Sequence, residues 1–189
     1  MNKIIWPLLL CAVLCGCGGE TGNAVQEQYR TLETARLEAE VTSHTSTDGR
    51  TFTLLCSYDA DGDAVTTVTD PGELAGLTAV VSGTDMTLRS EGLQLPAGAS
   101  LDICPANCLP YLLRALADGY VLEQSSEALD DTPCLRLALD TTAPGGGKVL
   151  CAVWLDAEGL FPRYAEFSRN EQVVLTVKLL AFTCTTSEG

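Results

Sequence analysis

The chain has 189 residues, a formal net charge of −14 at pH 7, and 46% hydrophobic but only 6% aromatic residues. That length supports one medium-sized domain with a buried core. The excess of 25 acidic over 11 basic side chains argues against nucleic-acid binding, which needs a basic surface, and against attachment to anionic lipid by charge.

Lys3 puts a positive charge ahead of an apolar run of 11 residues from Ile4 to Leu14. Such a run suits the hydrophobic region of a signal peptide and falls short of the roughly 20 residues that span a bilayer. It closes on Leu14-Cys15-Gly16-Cys17. This is the form of a lipobox: an aliphatic residue, two small ones, then the cysteine whose thiol takes diacylglycerol. Shifting the frame to Cys15 would put Leu14 at the cleavage position, a poor fit for signal peptidase. The pattern predicts a signal peptide over 1–16, cleavage between Gly16 and Cys17, and lipidation of Cys17. The mature chain is then anchored on the extracytoplasmic face of the cell membrane. One acyl chain holds a protein only marginally, so the two chains of a diacylglyceryl cysteine make a sound anchor.

Residues 17–23 read as a lipidated tether, and a single domain is expected over 24–189. Val25, Tyr29 and Leu32 recur at helical spacing and predict a helix of about three turns. From Ala35 the period becomes two, through Leu37, Ala39 and Val41, which predicts a half-buried strand. Asp48-Gly49 turns the chain into a returning strand with Phe52, Leu54, Cys56 and Tyr58 on one face. A further turn, Asp59–Asp63, leads to a strand over Ala64–Thr69 that Pro71-Gly72 ends. Short strands follow over Leu77–Ser82, Met86–Arg89 and Leu93–Leu95. A second helix is expected around Pro110–Ala117, with proline near its start, Gly119 past its end, and Leu109, Leu112, Leu113 and Leu116 as its apolar stripe. Strands resume over Tyr120–Ser125, Cys134–Asp140, Lys148–Asp156, Tyr164–Ser168 and Val173–Cys184. The glycine-rich stretch Ala143–Gly147 is a hairpin loop between the second and third of these. The total is about eleven strands and two or three helices. The expected class is α+β, a curved antiparallel half-barrel sheet covered by helices.

With Cys11 and Cys15 removed and Cys17 lipidated, six cysteines remain: Cys56, Cys104, Cys108, Cys134, Cys151 and Cys184. An even number in an exported domain suggests disulfides, with Cys104 and Cys108 the first candidate pair, or six buried thiols in a strict anaerobe.

Motifs for catalysis are lacking. His44 is the sole histidine, in a polar stretch before a turn, and no nucleophile elbow accompanies it. Cys104-x₃-Cys108 has the wrong spacing for a zinc ribbon. Asp59, Asp61 and Asp63 imitate the start of a calcium loop, but Ala64 stands where that loop needs glycine. Gly145-Gly146-Gly147-Lys148 fails as a phosphate loop because Val149 follows where Ser or Thr is required. No metal or cofactor is expected. What remains is geometry: a curved sheet makes a concave apolar face, which either holds a ligand or is filled by the helices.

The layout resembles the LolA and LolB lipoprotein-carrier superfamily, and most nearly its lipid-anchored Gram-positive relatives of the germination lipoprotein GerS type. The resemblance lies in Val68-Thr69-Asp70-Pro71-Gly72-Glu73-Leu74-Ala75-Gly76-Leu77 and in Val153-Trp154-Leu155-Asp156-Ala157-Glu158-Gly159-Leu160-Phe161-Pro162-Arg163-Tyr164. The terminal strand ending Leu180-Ala181-Phe182 adds to it. Gly159 stands where the family usually has threonine, and the six cysteines are additions. The resemblance implies an open half-barrel and no enzymatic activity. It leaves two functions: binding of a lipid or acyl chain in the concavity, or a regulatory module docking on another envelope protein such as a cell-wall hydrolase.

Overall fold

The computed structural model describes residues 18–45, 49–99, 102–143 and 145–187. The expected signal peptide, its cleavage site and Cys17 lie outside the described residues, as does Asp48 of the first turn.

A helix, α1 (Gly18–Arg30), precedes six strands: β1 (Leu32–Ser43), β2 (Arg50–Asp59), β3 (Ala64–Asp70), β4 (Thr78–Ser82), β5 (Asp85–Ser90) and β6 (Leu93–Ala99). A single 3-10 turn over Gly72–Leu74 joins β3 to β4. A second helix, α2 (Cys108–Asp118), leads into β7 (Tyr120–Leu129), β8 (Thr132–Thr142), β9 (Lys148–Asp156), β10 (Pro162–Arg169) and β11 (Gln172–Thr186). All eleven strands form one antiparallel sheet in the order β6-β5-β4-β3-β2-β1-β11-β10-β9-β8-β7. The sheet does not close, which gives the expected α+β half-barrel.

Most strands run from one neighbour to the next through short turns, the cheapest way to pair antiparallel strands. The exception shapes the molecule. β6 and β7 are successive strands at opposite edges, so the chain between them must cross the concave side, and α2 lies in that crossing. Alternation then sorts the side chains: Leu37 opposite Cys56, Ala39 opposite Leu54, and Val41 opposite both Phe52 and Val177 point inward together. On the other half, Leu137 opposite Val153 and Leu139 opposite Cys151 do the same. Leu109, Leu112, Leu113 and Leu116 of α2 are completely or almost completely buried against these rows. The predicted leucine stripe is therefore the plug of the half-barrel.

Gly119 does end α2, with ordinary negative φ (−62°) rather than the left-handed conformation common after helices. Space is the reason: a Cβ there would lie 2.4 Å from Ala115 O and 3.1 Å from Thr141 Cγ2. Gly159 is explained similarly. The ring of Phe161 sits 2.8 Å from where its Cβ would be, and that ring packs on Phe182 at 5.3 Å. A threonine at 159 would push the ring away.

Of the expected tether over 17–23, residues 18–23 are described. Gly18–Asn23 have the composition of a loop, but they form the first turns of α1. The helix docks from Gly22 onward: Val25 and Tyr29 are buried, and side-chain bonds from Gln26, Gln28 and Tyr29 to the body offset the poor helix propensity of its three glycines.

Candidate functional site

The helices cover only part of the concave face. Beyond β2 the inward face continues: Cys56 stands opposite Thr66, Thr66 opposite Ala79, Ala79 opposite Leu88 and Leu88 opposite Leu95, with Val68 on the same face of β3 as Thr66. Burial fades along it: Ala79 is buried, Leu88 is half-buried, and Leu95 is 65% exposed, with Leu93 beside it at 77%. An apolar wing of the sheet thus stands uncovered.

Where that wing meets the interior lies a pocket of about 230 Å³. Phe52 and Leu54 of β2, Val68 of β3, Leu88 of β5 and the loop Cys104-Pro105-Ala106 form its walls. Sites for drug-sized molecules run to roughly 300–1,000 Å³, whereas an apolar cavity of about 150 Å³ already takes benzene. The pocket therefore suits one apolar chain or ring and not the body of a large lipid.

The loop on the pocket's rim is held in shape by the buried Asn107. Its Oδ1 accepts from Cys104 N at 2.9 Å, and its Nδ2 donates to Asp102 O at 2.9 Å. Arg169 pairs with Asp102 and ties the loop to β10. Asn107 caps nothing on α2; it serves the loop instead.

Cys104 supplies a thiol to the pocket's lining. The six cysteines among the described residues are free thiols, and the expected Cys104–Cys108 bridge is not formed, although Cys108 N donates to Cys104 O at 3.0 Å across a single turn. Burial pushes the Cys56 thiol up to about 11, raises Cys104, and raises the fully buried Cys108 well above the usual thiol value. Thiols so protonated are poor nucleophiles at neutral pH.

The other sequence candidates fall elsewhere. His44 is exposed and its Nε2 meets Thr176 Oγ1 at 3.2 Å. The Asp59–Asp63 segment is a hairpin turn in which Asp61 N donates to Asp59 Oδ1 at 3.0 Å. In the glycine-rich loop, Ala143 N donates to Gly147 O at 2.8 Å. Among the described residues no group of three or more His, Cys, Asp or Glu is arranged to hold a metal ion. No described helix is long and apolar enough to cross a membrane.

The sequence reading missed Leu93 and Leu95 as a surface feature. Their alternation announces a strand, and the missing signal was the edge position that leaves them bare. It also missed Cys104-Pro105-Ala106 as pocket wall, because a loop's depth is not written in its composition.

Solved structures of similar fold include a DUF1329 family protein from Desulfovibrio piger, 12% identical over 90% of this chain and 94% of that one, with TM-score 0.54. Another is an uncharacterized conserved protein from Thermus thermophilus, 9% identical over 89% of this chain and 88% of that one, with TM-score 0.52. A LolA superfamily protein from Nitrosomonas europaea aligns at 13% identity over 90% of this chain and 95% of its own, with TM-score 0.46. The chain shares its fold with the first two of these structures. No family model matches the chain, and neither does any curated protein.

Proposed function

We propose that the protein is a non-catalytic, membrane-anchored lipoprotein that binds a single apolar chain, such as an acyl tail, on the open wing of its half-barrel. The carrying observation is the apolar face that runs from a partly open pocket lined by Val68, Ala79 and Leu88 to the bare Leu93 and Leu95 at the sheet edge. Two leucines left that exposed forgo the roughly 1.5–3 kcal/mol that burial of each would bring, and a chain laid across them recovers it. The pocket would hold the chain's end and the wing its continuation, with the polar head in water. Signal removal at Gly16/Cys17 and diacylglyceryl addition to Cys17 would keep the domain at the extracytoplasmic face. There an external two-electron oxidant would meet Cys104 first, since Cys108 is fully buried, and a Cys104–Cys108 disulfide belongs to the same reading.

Mass spectrometry of an organic extract from the folded domain, residues 18–189 purified from its own host, tests the binding. A stoichiometric single-chain amphiphile is expected. An empty extract, together with no binding of added fatty acid or alcohol, removes the reading.

A second reading is docking on another envelope protein. The same two leucines lie on β6, an edge strand with unpaired backbone, which suits addition of a partner's strand. A stoichiometric protein cross-linked to position 93 or 95, with no lipid in the extract, would favour it.

A further inference from the structure

The helix α1 begins at Gly18, one residue after position 17. The helix is fastened from several sides: Gln26 Nε2 donates to Gly119 O at 2.6 Å, Gln28 Nε2 to Gly159 O at 3.1 Å, and the Tyr29 hydroxyl to Leu160 O at 3.0 Å. Arg30 pairs with Asp118 at 3.6 Å. At Gly22 the helix lies against β7, so closely that an added Cβ would meet Gln124 Oε1 at 3.0 Å and Val121 Cγ2 at 3.8 Å. From Gly22 back to position 17 is at most about 18 Å of extended chain, or about 8 Å of helix. A lipid on Cys17 would therefore leave the body close beside β7.

That strand is a free edge of the sheet. It exposes Tyr120 (72%) and, at a bulge between Val121 and Glu123, Leu122 (55%). The acids nearby are engaged: Glu123 with Arg136 at 3.3 Å, Glu127 with Trp154 Nε1 at 3.0 Å, and Asp118 with Arg30. We infer that the β7 edge, through Tyr120 and Leu122, is the surface the domain rests on the bilayer, seated in zwitterionic lipid beside its anchor. This rests on the proposed lipidation of Cys17. A tyrosine suits the membrane–water boundary, where its ring is buried and its hydroxyl stays wet. An apolar side chain held near the anchor reaches the outer layer, which amphipathic surfaces enter to about 5–10 Å. The full chain carries −14 and removal of 1–16 takes away Lys3 and no acid, so the body is repelled by anionic headgroups and neutral lipid is the favoured partner.

The test uses the lipidated mature protein in vesicles of phosphatidylcholine carrying brominated acyl chains. In a Trp154→Phe background the mature chain has no other tryptophan, so Leu122→Trp becomes a sole reporter. Its emission is expected to shift to the blue and be quenched by the bromines, less so in phosphatidylglycerol vesicles. Leu55→Trp, on the convex face of β2, keeps its emission. Tyr120→Trp provides a second reporter should Leu122→Trp not fold. Protein that floats with the vesicles but shows no more quenching at 122 or 120 than at 55 overturns the inference and leaves anchoring intact. Protein that does not float overturns both.

Discussion

Leu88 of β5 and Leu95 of β6 stand directly opposite each other and face the same concave side, yet Leu88 is half-buried while Leu95 is largely bare. Between these two residues the interior of the protein becomes its surface. The step is one strand wide, and it falls where α2 and its preceding loop stop covering the sheet.

Replacing both exposed leucines of β6 by serine therefore separates binding from folding. Leu93→Ser with Leu95→Ser is expected to change unfolding free energy by no more than about 0.5 kcal/mol per site, as for surface substitutions generally. Affinity for an acyl chain or an apolar dye should fall about tenfold or more, since two methyl-rich contacts are lost. Urea denaturation and dye titration on the same samples check it. Equal binding by the variant would show that the wing is not the site.

The plug behaves oppositely. Leu112 is completely buried between α2 and the sheet, and Leu112→Ala should cost about 2–5 kcal/mol. Chemical denaturation should show a lower midpoint with an unchanged slope. A loss below about 1 kcal/mol, outside the range for buried leucines, would mean that α2 does not fill the half-barrel.

Gly119→Ala is expected to destabilise although its backbone conformation suits alanine. The new methyl would meet Ala115 O at 2.4 Å, with Thr141 Cγ2 at 3.1 Å and Leu139 Cβ at 3.2 Å. Shifting backbone to relieve such overpacking costs about 1–3 kcal/mol. Thermal unfolding is the readout, and an unchanged midpoint would refute the crowding.

Asp156 gives a pH signature. Its Oδ1 accepts the backbone N–H groups of Gly159 at 2.9 Å and Glu158 at 3.0 Å, with Arg163 nearby at 3.7 Å. These donors hold its carboxyl below the usual carboxylate value. The charged form is thus favoured in the folded state, so its contribution is present above the ordinary value of about 3.9 and is lost as pH falls through the lower folded value. The wild-type advantage over Asp156→Asn should be constant near neutrality and vanish in strong acid. A difference in melting temperature independent of pH would contradict this.

Cys17→Ser is expected to abolish labelling by a fatty-acid probe and to release the protein from the membrane fraction. Continued labelling would place the lipid on another residue.

Much of the fold could be read from pattern. Ala35, Leu37, Ala39 and Val41 announce a strand because side chains in extended backbone alternate faces. The leucines of Pro110–Ala117 announce a helix with one buried stripe. The resemblance carried by Trp154–Pro162 pointed to the half-barrel, and the hairpin there grips α1 through Gly159 O and Leu160 O. The site was less legible. Leu93 and Leu95 have the same alternation as buried strands, and Gly18–Asn23 has a composition that favours a loop.

By itself the sequence determined most element types, the antiparallel class and the acidic composition, because local periodicity and short motifs act over a few residues. Only the tertiary structure decided which part of the concave face α2 covers, which apolar strand stays bare, and that α1 starts as early as Gly18. Those depend on where β6 and β7 fall at opposite ends of the sheet, a relation between residues distant in the chain that no local pattern records.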